Sequence, residues 1–318
     1  MTPSMAAAPP VQLSERVFLL PGGVNVVLVV EGRRALVIDS GQGKEGARRV
    51  RRALEALDVA PCAILTSHAH ADHFGGHARL LRRWRVPVHA PPIEAELMRA
   101  PFLEPVYLAH GAAPAPELLG PWFMAEPSPV DALLVPGHAH IEGFDLLVHD
   151  VSGHAHRQFA FEVDDVLVAA DAVFGPAVLE RYPLPFGQDA ARQAAAAAWV
   201  GERRVRLVVP GHGEPDAPAV LGQATVAALE RVRRAVTEAV DQGSVEAPGA
   251  IGAPGTDAEW VESHEILARV AAALDVPEVD LARWHLDHTT VQAHLQALRQ
   301  DGRLRPRVRG HRLAWGPA

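Results

Sequence analysis

The sequence predicts alternating strands and helices, a layered α/β arrangement, followed by a smaller and mainly helical C-terminal domain. Three observations predict it. Short apolar runs bounded by Gly, Pro and Asp alternate with helix-period stretches from Val17 to Val209. A Gly, Pro and Ala-rich linker, Gly243–Gly255, interrupts that pattern. Helix-period segments then return and end in a basic tail. The first domain is assigned to residues 1–221 and the second to 222–318.

The 318 residues suffice for one large domain and a small one, and a hydrophobic content of 48% indicates a globular protein with a sizeable core. A net charge of −8 disfavours a general nucleic-acid-binding surface. Cys62 is the only cysteine, so there is no intramolecular disulfide framework and its expected role is packing. The opening MTPSMAAAPPVQL lacks a basic segment followed by a long apolar one, and no run of about eighteen uncharged apolar residues occurs elsewhere. The expectation is a cytoplasmic protein without membrane spans.

Taken in order, Val17–Leu20, Val24–Val30 and Ala35–Ile38 are apolar runs separated by tight turns, and the last ends in Asp39-Ser40-Gly41. Gly46–Leu57 places Ala47, Val50, Ala53, Leu54 and Leu57 three and four apart, the spacing of an amphipathic helix. Pro61 introduces the strand Cys62–Thr66, which runs into the densest cluster of the chain, TSHAHADHFGG over 66–76. His68 and His70, two apart on extended backbone, project to one side. Asp72 and His73 follow where a helix over 75–84 is expected to begin, and a carboxylate is favoured at that N-terminus. Three imidazoles and a carboxylate form a nitrogen and oxygen donor set suited to a borderline cation such as zinc. A histidine-rich surface loop is the competing explanation. Its position at the end of a buried strand argues against it. Four such donors cannot all bind one ion and leave it an open position, so two metal positions completed from elsewhere are the natural reading.

Beyond this cluster, Val86–Ala90 reads as a strand and Ile93–Arg99 as a short helix. A long connection to Val130 carries Phe102, Tyr107, Trp122 and Phe123, aromatics suited to a binding wall or to closing a core edge. Leu146–Val151 leads to Ser152-Gly153-His154, and a hairpin of Gln158–Val163 and Val166–Ala170 delivers Asp171. Asp189–Val200 is an Ala-rich helix, and Val205–Val209 ends in Pro210-Gly211-His212-Gly213, with Gly on both sides of the histidine for backbone clearance. A helix to about Gln242 follows. The C-terminal region reads as helices over 258–274, 281–285 and 289–300, with a hairpin-like tail over 305–315.

The stretch TSHAHADHFGG resembles the H-x-H-x-D-H signature of the metallo-β-lactamase superfamily of hydrolases. Asp39-Ser40-Gly41 resembles that family's first motif, whose aspartate supports the metal loop from behind. Pro136-Gly137-His138 looks like its third motif but sits one strand too early. His154 takes that place, leaving His138 and His140 on the surface or a pocket rim. Asp-Ala-Val-Phe-Gly at Asp171 resembles a Gly-Asp-x-x-Phe segment, with Ala170 replacing the common Gly. Pro210-Gly211-His212 resembles the last motif. His156 departs from the usual small residue or Pro, and Phe174 stands where some lactone-cleaving members carry Tyr. The resemblance covers about two thirds of the chain and fills all seven ligand positions.

This resemblance implies an α+β fold, a four-layer αββα sandwich with the site at one end of its two sheets. His68, His70 and His154 would hold one metal, Asp72, His73 and His212 a second, and Asp171 would bridge them. The cofactors implied are two divalent ions, zinc foremost, with iron or manganese as alternatives. A hydroxide shared between the ions would be the nucleophile, and Asp72 would help to steer it, which makes Asp72 and Asp171 the catalytic pair. The implied reaction is hydrolysis of an ester, thioester or related acyl bond of a small molecule, in the glyoxalase II-like branch. No clear basic pair for a glutathione carboxylate is found. The alternatives are a phosphodiesterase or ribonuclease acting on nucleic acid, and an iron-dependent sulfur dioxygenase with fewer ligands. The C-terminal helices and tail resemble a winged-helix module. Arg299, Arg303, Arg305, Arg307, Arg309 and Arg312 could contact phosphates there, but packing on the first domain or a homodimer contact is favoured over nucleic acid.

Overall fold

The computed structural model describes residues 9–243, 260–277 and 279–318. The expected linker over 243–255, apart from Gly243, the expected helix start at Ala258 and the first eight residues lie outside them.

The first sheet has seven strands in chain order: β1 (Val11–Gln12), β2 (Val17–Leu20), β3 (Val26–Glu31), β4 (Arg34–Ile38), β5 (Ala60–Leu65), β6 (Val88–Ala90) and β7 (Ala132–Leu133). The first four pair antiparallel and β4 to β7 pair parallel. Parallel strands need helical crossovers, here α1 (Gly43–Ala56), then α2 (Ala71–Phe74) and α3 (His77–Leu81), and then α4 (Glu94–Arg99) and α5 (Leu103–Leu108). The second sheet has the order β12-β11-β10-β9-β8, made of β8 (Gly137–Ile141), β9 (Phe144–Asp150), β10 (Phe159–Val163), β11 (Val166–Ala170) and β12 (Leu207–Pro210). Between β11 and β12 lie α6 (Pro176–Arg181) and α7 (Ala190–Gly201).

Period-two alternation sorts each strand between two cores. In β4, Leu36 and Ile38 meet Val27, Val29, Phe159 and Phe161 between the sheets. Ala35 and Val37 face the other way, against Val50, Ala53 and Leu54 of α1. Both faces are buried, which is why β4 reads as a continuous apolar run. On the far side, Ala160, Leu167 and Val208 pack against Ala196, Ala197 and Val200 of α7. The order of layers is helix, sheet, sheet, helix, the expected αββα sandwich.

After β12, α8 (Pro218–Asp241) is followed by β13 (Val261–Glu262), α9 (Ser263–Ala273), α10 (Leu281–Gln300), β14 (Leu304–Arg309) and β15 (Arg312–Pro317). The last three strands form a small sheet, β13-β15-β14. The helix α8 runs unbroken through residues 221 and 222. Its start puts Leu221 into the core under the second sheet, and its end puts Val232, Val236 and Val240 into a core with Val270, Val291, Leu295 and Trp315. Leu184, Leu108 and Leu118 of the sandwich pack on the C-terminal helices, as do Ala190 against Ala293 and Ala297. This region therefore packs against the sandwich.

The strands β1, β7, β8 and β13 and the helix α6 are additions to the sequence reading, and three expected segments differ from it. The helix expected over 75–84 is shorter, α3 over His77–Leu81, and is parted from α2 at Gly75 and Gly76, where the backbone lies close to Ser40 and Gly43 and the N–H of Gly76 donates to Ser40 Oγ at 3.0 Å. The loop expected after Arg99 contains α5 and a 3-10 turn over Pro116–Leu119, with Pro105 in the first turn of α5, where its missing N–H costs nothing. The helices expected over 281–285 and 289–300 are one. Asp287 between them is satisfied within the helix by Arg283 at 2.7 Å, and Asp280 caps the start by accepting from the N–H of Arg283 at 2.8 Å.

The helices α7 and α8 meet through glycine. A Cβ on Gly222 would sit 2.6 Å from the Gly201 nitrogen and 2.8 Å from the Ala197 carbonyl oxygen. Both contacts are backbone and cannot swing aside. Gly222→Ala is expected to lower stability by about 1–3 kcal/mol, the usual penalty of overpacking. The denaturation midpoint measures this, and an unchanged midpoint would mean the helices part without cost.

Candidate metal centre

All seven predicted ligand residues converge at one end of the sandwich. Three groups place one donor atom from each member within 4.8 Å of the others: His68, His70 and His154; His68, His73 and Asp171; Asp72, His73 and His212. Each donor sits just past a strand end or in the short helix that follows one. β5 delivers His68 and His70, and α2 carries Asp72 and His73. Asp171 directly follows β11, His212 lies two residues past the end of β12, and the loop after β9 holds His154. Ala170, where Gly is common in the family, has φ +46°, the left-handed region that favours glycine. Gly211 is required by space, because a Cβ there would overlap Asp171 Oδ1 and approach His73 Cε1 at 2.9 Å.

The imidazoles are oriented by what their outer nitrogens touch. His73 Nδ1 donates to Asp39 Oδ2 at 2.8 Å. His154 Nδ1 donates to the Phe186 carbonyl at 3.0 Å, and His212 Nδ1 to the Gly23 carbonyl at 2.8 Å. Ser67 Oγ donates to Asp39 Oδ2 at 2.7 Å and so accepts from His68 Nδ1 at 3.0 Å. In these four rings Nε2 faces inward. His70 is turned the other way, with Nδ1 lying 2.9 Å from His68 Nε2 and 3.0 Å from His154 Nε2. Asp39 thus supports the metal loop from behind, as its motif suggests, and also accepts from the Ser67 N–H at 2.8 Å.

Charge divides the cluster. Burial lowers His68 and His154 and takes His70 down to about 3, so these three rings are neutral and available as donors. Burial would do the same to His73 and His212, but the Asp171 and Asp72 carboxylates outweigh it and hold them up at about 10 and about 11. The same pairing overcomes burial at Asp72, which lies at about 2, and holds Asp171 well below the usual carboxylate range. Asp171 Oδ2 lies 3.3 Å from His154 Nε2 and 3.4 Å from His212 Nε2, and its Oδ1 lies 3.4 Å from His73 Nε2.

The donor set fits divalent cations. The inward nitrogens of three neutral rings meet, with His68 Nε2 and His154 Nε2 both against His70 Nδ1, and one N–H cannot satisfy both. His73 Nε2 and Asp171 Oδ1 face each other at 3.4 Å, and neither makes a hydrogen bond among the described residues. Cations answer both conditions. His70, Asp72 and His212 are half-buried while the other four are buried, so the cluster opens on one side. Phe186 packs edge-on to His70 and His154 with ring centroids at 5.6 and 5.5 Å, and Phe174 lies 5.9 Å from His154.

Other histidines stay outside. His138 and His140 lie exposed on the edge strand β8, and His156 is exposed. His110 lies at the mouth of a cavity of about 1180 Å³ lined by α10, the β14–β15 hairpin, Tyr107 and Gln188, none of them a ligand. Two contributors escaped the sequence reading. Asn25, the one polar side chain in the run 24–30, donates to the Pro210 and Gly213 carbonyls at 2.8 and 2.7 Å and so pins the His212 loop. Its isolation among apolar neighbours was the available signal. Glu94 is buried and accepts from the Ala69 N–H at 2.9 Å and the Arg157 N–H at 3.1 Å. As an acid in the first turn of a short helix, it carried no local signal.

The fold and the gathered imidazoles and carboxylates are those of the metallo-β-lactamase-fold hydrolases. The chain belongs to the metallo-beta-lactamase superfamily, whose sequence model matches residues 19–212. A thioesterase from Emericella nidulans is 26% identical over 195 residues, 60% of this chain and 46% of that protein. A hydroxyacylglutathione hydrolase from Xanthomonas euvesicatoria is 29% identical over 150 residues, 46% of this chain and 45% of that protein. The chain thus spans about half the length of these relatives. In structure, a metallo-beta-lactamase family protein from Thermus thermophilus matches with a TM-score of 0.69 at 18% identity, over 96% of this chain and 100% of that one. A beta-lactamase domain protein from Burkholderia ambifaria matches with a TM-score of 0.69 at 18% identity, over 99% and 96%.

His77, close in sequence to the ligands, is a packing residue. It is fully buried, neither ring nitrogen has a hydrogen-bond partner among the described residues, and burial takes it down to about 3. A folded value below the unfolded one of about 6.5 means that its stabilising contribution is complete above that pH and is lost as pH falls toward 3. His77→Leu is therefore expected to lose at most about 1.4 kcal/mol less stability per pH unit across that window than the wild type. Denaturation of both proteins at several pH values measures the difference, and parallel profiles would contradict it.

Proposed function

We propose that this chain is a metal-dependent hydrolase of an ester, thioester or related acyl bond in a small molecule, with thioesters foremost. The observation that carries the reading is the position of Asp171, whose carboxylate touches imidazoles of both outer donor groups. One carboxylate with two oxygens can serve two cations, whereas an imidazole offers a single lone pair. His68, His70 and His154 would hold one cation, and Asp72, His73 and His212 the other. The nitrogen and oxygen donors suit zinc. Bound there, two divalent cations supply Lewis acidity toward a carbonyl oxygen and bring water toward ionisation near neutral pH.

The chain's own residues do the rest. Asp72, partly exposed and with Oδ2 3.4 Å from His212 Nε2, would steer an attacking water. Phe174 and Phe186 exclude bulk water from the histidine side. The thioester preference draws on the relatives named as a thioesterase and a hydroxyacylglutathione hydrolase. An iron-dependent dioxygenase needs fewer ligands than the seven that converge, which ranks it lower. A phosphodiesterase draws support from the C-terminal order of helix, strand, two helices and hairpin, consistent with a winged helix. It ranks second because α10 packs on the sandwich and Arg312 is paired with Glu262 at 2.8 Å. No helix among the described residues is long and apolar enough to cross a membrane, and we place the enzyme in the cytoplasm.

Elemental analysis of the purified chain is expected to find close to two ions per molecule. His70→Ala and Asp171→Ala should lose metal and turnover together, and full activity in either variant would sink the assignment. Asp39→Ala, which leaves the ligands intact but frees His73, should weaken metal binding by about 10- to 100-fold. A panel of thioesters, lactones, β-lactams and phosphodiesters on metal-loaded protein then decides the substrate. Turnover of phosphodiesters alone would replace the acyl reading.

A further inference from the structure

We infer that Glu94 is the positioning residue that sets the spacing between the His68–His70 pair and His154, by fastening both of their loops with one carboxylate. The inference rests on the metal reading above, because it concerns how one donor group is held in place.

The geometry is direct. Ala69, whose N–H donates to Glu94 Oε2 at 2.9 Å, lies between His68 and His70. Arg157, whose N–H donates to Oε1 at 3.1 Å, lies three residues after His154. One loop leaves the first sheet and the other leaves the second, so the carboxylate bridges the two sheets at the level where their donors meet. A backbone bond, from the Phe159 N–H to the Ser67 carbonyl at 3.0 Å, joins the same two loops nearby. Two fastenings define a distance and an angle between the loops, whereas one would leave a hinge.

Two costs argue that this arrangement does more than fill space. Glu94 is 1% exposed, and its hydrogen-bond partners among the described residues are two backbone N–H groups, with no cation among them. Burying an acid in that way is unfavourable unless its oxygens are needed as acceptors. The residue before it, Ile93, has φ +71° and ψ −55°, the rarer and strained hand of the γ-turn, and its side chain is 53% exposed. A β-branched residue resists that conformation. The strain turns the chain so that the first residue of α4 points inward. The same helix opens the aromatic-rich segment 91–130, so Glu94 also ties this wall to the donor loops.

The test uses the full chain and metal ions as probes. Wild type, Glu94→Ala, Glu94→Gln, His154→Ala and Ile93→Gly are stripped, titrated with Co(II) while the visible spectrum is followed, and competed for Zn(II) against a chromophoric chelator. Wild type should take two equivalents, and His154→Ala should identify the equivalent and the spectral band belonging to the three-histidine group. Glu94→Ala should weaken that same equivalent by about 10- to 100-fold and shift its band, leaving the other unchanged. Glu94→Gln, which keeps one acceptor oxygen of two, should fall between, and it is the variant read if Glu94→Ala does not fold. Ile93→Gly, which relieves the strain and keeps the carboxylate, should bind like wild type. Wild-type affinity and spectrum in a folded Glu94 variant would overturn the inference, as would equal weakening of both equivalents. Failure of the wild type to take up metal would overturn the metal reading itself and this inference with it.

Discussion

The carboxylate of Asp171 is the interaction on which the site depends. It is buried and lies within 3.4 Å of imidazole nitrogens on His73, His154 and His212, side chains delivered by three separate segments. Burial should make this acid reluctant to ionise, yet the surrounding imidazoles keep it charged, and it in turn keeps His73 and His212 protonated well above neutrality in the absence of another cation. A cluster of this kind costs free energy that the hydrophobic cores must offset. Divalent cations bound there would remove the conflict by replacing protons with a charge that every donor can share.

The sandwich supplies what this cluster needs. Strands buried on both faces are held by two cores each and give their ends little freedom. The donors sit just beyond those ends, where the backbone leaves the sheet and can present a side chain without sacrificing ladder hydrogen bonds. Asp39 and Glu94 reach the donor loops with hydrogen bonds to backbone N–H groups, and Asn25 reaches them through backbone carbonyls. Such contacts restrict a loop more firmly than side-chain contacts, because the backbone has only two soft dihedrals per residue.

The C-terminal helices are joined to the sandwich by a shared helix and a shared core. α8 begins under the second sheet and ends among the C-terminal helices, and Leu184, close in sequence to Phe186, lies in the C-terminal core. The Phe186 carbonyl orients His154, and the N–H of the next residue, Gly187, donates to Thr290 Oγ1 of α10 at 3.4 Å. The segment that orients one donor is therefore also braced by the C-terminal region, a physical link between that region and the metal centre.

The sequence by itself showed most of the layers and the donor cluster at His68, His70, Asp72 and His73, and the family resemblance added His154, Asp171 and His212, which the fold brings beside it. Short apolar runs such as Ala35–Ile38, bounded by turn residues, read as strands, and a histidine just beyond such a strand, as at His68 or His212, has a position set by the strand. The family resemblance separated His154 from His138, since only the former follows the strand that the family's pattern requires. Tertiary structure alone decided the rest. The breaks at Gly75 and Gly76, the continuity of α10 through Asp287 and the inward turn of Glu94 all depend on partners remote in the chain or on a turn of helix that satisfies a polar group. Local periodicity carries the preference of a segment for its own conformation. It carries no record of which distant backbone N–H a carboxylate will meet, and those meetings hold the donor loops in place.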